Sequence, residues 1–181
     1  MTVTGWRVAG QLPAGNRLVV IAAPHTTNWD FIYLIAAALV FRLKIHWLGK
    51  TSLFRPPMGT LMRLLGGIPV DRSRSTNLVA QLKAQFEASR GMAIVIPPSG
   101  TRGKTDHWKS GFYWTAYEAG ATVVCGYLNY PSKTAGLGYS FEPTGNVSED
   151  IEPVRAFYKD IVGKYPELAS EVRLAEEHAS K

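Results

Sequence analysis

The chain has 181 residues, 46% of them apolar, and 20 Lys and Arg against 14 Asp and Glu give a formal charge of +6. That length and composition suit a single domain with a full hydrophobic core and exclude compositional disorder. One cysteine, Cys125, excludes an intrachain disulfide and argues against a cysteine-based metal cluster.

The opening residues carry no basic segment followed by an apolar one, so no secretory leader is expected, and a reducing cytoplasm fits the cysteine usage. Residues 1–16, with Gly5, Gly10, Pro13 and Gly15, read as an irregular lead-in. Leu18 to Ala23 is a continuous apolar run of strand length, the pattern of a strand buried on both faces. Asn28 to Phe41 reads as a helix, with Asn28 as its N-cap and Asp30 in the acid-favouring first turn. Its apolar run is too short to span a bilayer and is closed by Arg42 and Lys44.

Ile45 to Gly49 reads as a second strand. Arg55-Pro56-Pro57 breaks any helix, and Met58 to Leu65 starts another that Gly66-Gly67 ends. Ile68-Pro69-Val70 is a short strand in which Pro69 calls for an edge position. Leu78, Val79, Leu82 and Phe86 share one helical face, Met92 to Ile96 is a buried strand, and Lys109 to Ala119 is helical. Thr122 to Leu128 is a strand enclosing Cys125, which reads as a buried, inert thiol. Gly136 to Phe141 is its antiparallel companion, and acidic helices are expected at about 151–164 and 166–179. The alternation predicts one α/β domain over 1–181, a mixed, mainly parallel sheet flanked by helices.

Charge is unevenly spread. Residues 50–109 hold ten Lys and Arg against three acids, whereas residues 142–181 hold nine acids against five bases. The middle of the chain therefore faces something anionic: phosphate, lipid headgroups or nucleic acid on charge alone.

In open α/β sheets, ligands gather at the carboxyl ends of strands. Three strands here end in chemically capable loops: His25 with Asp30, Asp71-Arg72, and Ser99-Gly100-Thr101-Arg102. A carboxylate five residues after a histidine can hold the imidazole in one tautomer and leave its other nitrogen to accept a proton. Arginines suit a bidentate grip on phosphate. Each piece has an ordinary reading as well: a structural histidine, a helix-start acid, solvated surface charges and a turn.

Their order carries a resemblance. His25-x4-Asp30, Gly67-Ile68-Pro69-Val70-Asp71-Arg72, Pro98-Ser99-Gly100-Thr101-Arg102 and Val123-Val124 resemble the four ordered blocks of the glycerolipid acyltransferases, which include the bacterial lysophosphatidate acyltransferases. The likeness covers about residues 18–130, and Lys50 resembles a basic position common in that family. It implies a glycerol-3-phosphate acyltransferase-like fold and transfer of a fatty acyl group from acyl-CoA or acyl-carrier protein to a lipid hydroxyl. His25 would be the general base, Asp30 its partner, and Lys50, Arg72, Ser99, Gly100, Thr101 and Arg102 would bind substrate. No metal, cofactor or covalent enzyme intermediate is implied. Two departures stand out: Ser99 where the family usually carries Glu, and Cys125 where it usually carries Pro. They leave open an acceptor other than lysophosphatidate.

A fatty acyl donor needs an apolar slot, which Phe31 to Phe41 and Phe54 to Leu65 can line. Arg55 and Arg63 beside the second group suggest peripheral attachment to an anionic membrane surface. Other readings are a hydrolase with Ser99 as nucleophile, which lacks the Gly-x-Ser-x-Gly elbow, and a non-catalytic lipid- or phosphate-binding relative. Nucleic-acid binding finds no recognised module.

Overall fold

The computed structural model describes residues 4–70 and 78–178. Its strands are β1 (Arg7–Ala9), β2 (Arg17–Ala23), β3 (Ile45–Lys50), β4 (Gly67–Val70), β5 (Met92–Ile96), β6 (Thr122–Asn129) and β7 (Thr134–Phe141). The helices are α1 (Trp29–Val40), α2 (Gly59–Leu64), α3 (Leu78–Ala88), α4 (Gly111–Ala119) and α5 (Val147–Tyr158). All seven strands form one sheet in the order β1-β7-β6-β2-β5-β3-β4. From β6 to β4 every neighbouring pair is parallel, β7 runs antiparallel to β6, and β1 lies parallel to β7. The mixed, mainly parallel α/β sheet expected from the alternation is thus what the chain forms.

The continuous apolar runs are explained by cover on both faces. Along β2, Val19 and Ile21 pack with Leu82 and Phe86 of α3 and Phe112 and Ala116 of α4. Leu18 and Val20 point the other way, toward Leu34 and Ala38 of α1 and Trp47 of β3. The period-two alternation of a strand therefore sorts one run into two cores. Ile21, Phe86 and Phe112 are fully buried, and each contributes about 1.5–3 kcal/mol of burial free energy. Pro69 sits in the outermost strand, as its missing N–H requires.

Two expectations need correction. The lead-in is not wholly irregular, because Arg7–Ala9 adds a strand beside Thr134–Gly136. Gly10 ends it at φ +91°, where an added Cβ would lie 1.8 Å from the carbonyl oxygen of Leu137. That close backbone approach is open to glycine alone.

The second correction concerns the acidic C-terminal helices. One forms, starting earlier than expected at Val147, with Pro153 inside it. The stretch expected as the second is an extended strap with 3-10 turns at Pro166–Leu168 and Ala175–His178. Its backbone is drawn into a bridge between Trp108 and Leu174, with the Trp108 N–H donating to the Arg173 carbonyl at 2.8 Å. Leu174 is fully buried there. Tertiary pairing outweighs helix propensity in this segment.

Candidate active site

β2 ends at Ala23, and the loop 24–28 leads directly into α1. Asp30, in the first turn of that helix, turns its carboxylate back over the loop. Its Oδ2 accepts hydrogen bonds from the Thr26 N–H at 2.8 Å, the Thr27 N–H at 3.0 Å and His25 Nδ1 at 3.2 Å. Oδ1 accepts the Tyr130 hydroxyl at 2.7 Å. The carboxylate is 6% exposed and the imidazole 22%, so the acid is enclosed while the imidazole can still be reached. With Nδ1–H donating to the carboxylate, Nε2 carries the lone pair and is free to accept a proton.

Burial alone would raise the Asp30 carboxyl. The hydrogen bonds from His25, Tyr130, Thr27 and Thr26 outweigh it and hold the group below the ordinary aspartate value. Burial, followed by the bond to Asp30, pushes the Tyr130 phenol upward, so Tyr130 stays a protonated donor.

Tyr130 follows β6, a hundred residues from Asp30 in sequence. Its ring packs edge-on to Trp6 at 5.0 Å and to Tyr33 of α1 at 6.1 Å. The C-terminal strap braces the same loop. The Tyr130 N–H donates to the Val162 carbonyl at 3.0 Å, and the Tyr165 N–H donates to Thr26 Oγ1 at 3.3 Å. Gly163 packs against Pro24 and Thr26, where a Cβ would come within 3.1 Å.

Asn28 holds the N-cap position of α1, but its side chain makes no cap bond. Its Oδ1 instead accepts a hydrogen bond from Arg102 Nη1, linking the loop after β5 to the start of α1. Gly100 sits at φ +66°, a turn conformation that favours glycine.

Of these groups, His25, Asn28, Asp30, Gly100 and Arg102 line a cavity of about 740 Å³. His25, Asp30, Lys50, Gly100, Thr101 and Arg102 all line it, so the sheet brings six of the eight expected site residues to one rim. Inward it runs between α1 and the sheet and becomes apolar, lined by Phe31, Leu34, Phe41, Trp47, Met62 and Val95.

Ser99 faces elsewhere. Its hydroxyl donates to the Thr101 carbonyl at 2.7 Å, and it lines a second cavity on the other side of His25. Among the described hydrogen bonds none joins Ser99 to His25, so the geometry gives no support to Ser99 as a base-activated nucleophile. Arg72, with Asp71, lies outside the described residues.

Tyr130, Asn28 and the amides of Thr26 and Thr27 were not singled out from the sequence as site-builders. For Asn28 the signal was read as a helix cap. For Tyr130 no local spacing carries one, since its link to Asp30 exists only through the pairing of β6 with β2.

The protein-family model for acyltransferases matches residues 6–128, a span holding β1 to β5, all but the last residue of β6, and all eight expected site residues. No curated protein sequence matches the chain. The structure is similar to that of the 1-acyl-sn-glycerophosphate acyltransferase PlsC of Thermotoga maritima, with a TM-score of 0.56 and 18% identity. That match covers 79% of this chain and 63% of the PlsC chain. The chain belongs to the acyltransferase family and has the α/β fold of a glycerolipid acyltransferase.

Proposed function

We propose that the protein transfers a fatty acyl group from acyl-CoA or acyl-carrier protein to a hydroxyl of a glycerophospholipid-type acceptor such as lysophosphatidate. The observation that carries this reading is the His25–Asp30 pair at the mouth of a deep apolar cavity with Lys50 and Arg102 on the same rim. His25 Nε2 takes the acceptor's hydroxyl proton as the oxygen attacks the thioester carbonyl carbon. The new C–O bond forms, the C–S bond breaks, and the proton passes to the departing thiolate.

Asp30 keeps the imidazole oriented and balances its charge while it holds that proton. A positioned base contributes roughly 10²–10⁴-fold, and alignment of the two substrates supplies much of the remainder. Lys50 and Arg102, with Arg72, would hold the acceptor's phosphate. Gly100 and Thr101 would let backbone approach it closely. The apolar end of the cavity would take the acyl chain, each buried methylene contributing about 0.8 kcal/mol.

The cavity mouth continues onto an exposed apolar surface. Ile32 and Leu53 line the cavity and are 53% and 46% exposed, and Met58, Leu61 and Leu64 stand out nearby at 50%, 47% and 79%. Arg55 and Arg63 are exposed among them. No described helix is long and apolar enough to cross a membrane. A basic, apolar rim of this kind supports peripheral attachment to an anionic leaflet on the cytoplasmic side, from which a lipid substrate can enter.

The test is an acyl-CoA thioester-cleavage assay against a panel of lysophospholipid and other lipid acceptors, run beside His25→Ala. Acceptor-dependent thiol release that falls by roughly 10²-fold or more in the variant is expected. Wild-type turnover left intact by His25→Ala would overturn the assignment.

A further inference from the structure

The cavity that Ser99 faces has a volume of about 630 Å³, and it shares Ala23, Pro24 and His25 with the apolar one. The imidazole therefore borders both spaces. The wall of the second is built mainly by α5 and the C-terminal strap, residues 152–173, beyond the span that matches the family. Its character also differs. Arg155, Lys159 and Arg173 line it against Glu152 and Glu171, and Arg155 is tied to Glu152 and to the Val172 carbonyl. Trp108 and Leu168 offer apolar surface, and the Ser99 hydroxyl, whose proton goes to the Thr101 carbonyl, offers a lone pair to an amide N–H.

A thioester donor is a linear molecule: acyl chain, carbonyl, sulfur, carrier arm. Holding it with the carbonyl beside a base requires two channels that join at that base, one apolar and one suited to the arm. We infer that the second cavity binds the phosphopantetheine arm of the donor's carrier, so that the donor runs through both cavities with its carbonyl at His25. This rests on the acyl-transfer reading above. The arm is an extended chain with two amides, a dimethyl group and a terminal phosphate. The amides suit the hydroxyl-bearing floor and the dimethyl group suits Trp108. The phosphate suits Lys159 and Arg173, which are exposed at the rim. The volume lies within the range usual for a small-molecule site.

The experiment compares three donors of one acyl chain length: acyl-CoA, acyl-carrier protein and the truncated N-acetylcysteamine thioester, which lacks the phosphate-bearing part of the arm. The enzyme is tested as wild type, as Lys159→Glu with Arg173→Glu, and as Ala156→Trp, which fills the same cavity from α5. For both variants kcat/KM with a carrier-bound donor, relative to the truncated donor, should fall about tenfold or more, the scale of losing two charge-assisted contacts at a solvent-facing rim. A fall with acyl-CoA alone assigns the cavity to coenzyme A, and a fall with acyl-carrier protein alone assigns it to the carrier protein. Equal loss with all three donors, no loss with either carrier-bound donor, or a change confined to the acceptor's KM overturns the inference.

Calorimetry with free coenzyme A and with free phosphopantetheine separates this from failure of the acyl-transfer reading. Binding of either that weakens in the variants supports the cavity assignment even where no acceptor turns over. Absence of binding by both, or binding unmoved by the variants, overturns it.

Discussion

Tyr130→Phe is the sharpest probe of the site. The substitution removes one oxygen and keeps the ring, so its packing on Trp6 and Tyr33 is retained. What is lost is the 2.7 Å bond to Asp30 Oδ1. A hydrogen bond to a charged group contributes about 1.5–3 kcal/mol, so loss of that order is expected in stability. The catalytic effect should be smaller. Asp30 Oδ2 keeps the Thr26 and Thr27 amides, and these alone can hold the carboxylate against His25. A fall in kcat of roughly three- to tenfold, at most about 1.4 kcal/mol of barrier, follows if Tyr130 fine-tunes orientation.

The pH profile gives the sign. Without the phenol the carboxylate loses one of the bonds that depress its pKa, so Asp30 holds a proton more tightly. The acid limb of the kcat/KM profile should move to higher pH. Initial rates across pH, together with a thermal melt, make the measurement. A lower Tm with unchanged kcat and an unmoved acid limb would refute the positioning role and leave Tyr130 as packing.

Asp30→Asn tests linkage at the same group. The folded-state pKa of Asp30 is depressed, so its stabilising contribution is complete above the unfolded value of about 3.9 and is lost as pH falls through the folded one. Urea unfolding should therefore show the gap between wild type and Asp30→Asn widest near neutrality and narrowing in acid. Leu61→Glu with Leu64→Glu should cut sedimentation with anionic liposomes at low salt by about tenfold or more while leaving cleavage of a short, soluble thioester intact. Cys125 is fully buried in β6 and burial pushes its thiol up to about 12, with a bond to Tyr158 opposing, so a thiol reagent should label it only after denaturation.

Much of the architecture was legible because buried parallel strands leave an unmistakable trace. Leu18 to Ala23 and Met92 to Ile96 are continuous apolar runs, and each ends in a loop that lines the candidate site. The His25-x4-Asp30 spacing was readable because one loop and the first turn of one helix contain the whole interaction. What escaped depends on contacts distant in sequence. A three-residue strand such as Arg7–Ala9 has too little length for an alternation to register, and it exists because β7 offers an edge. The strap after α5 carries a helix-like composition, yet its backbone is spent on Trp108 and Leu174. Tyr130 becomes a site residue only when β6 pairs with β2, a fact no local pattern encodes.

The bracing of the loop after β2 by Gly163 and Tyr165, and of Tyr130 by Val162, has a practical consequence. The family likeness stops near residue 128, yet the chain's working unit does not. Trimming back to the recognisable portion would remove Tyr130 with its bond to Asp30, strand β7, and the ceiling over Pro24 and Thr26. The loop would then be free to wander even though every residue of the motif remained. A shortened version would keep its signature and lose its register, and any fusion partner should be joined beyond the strap.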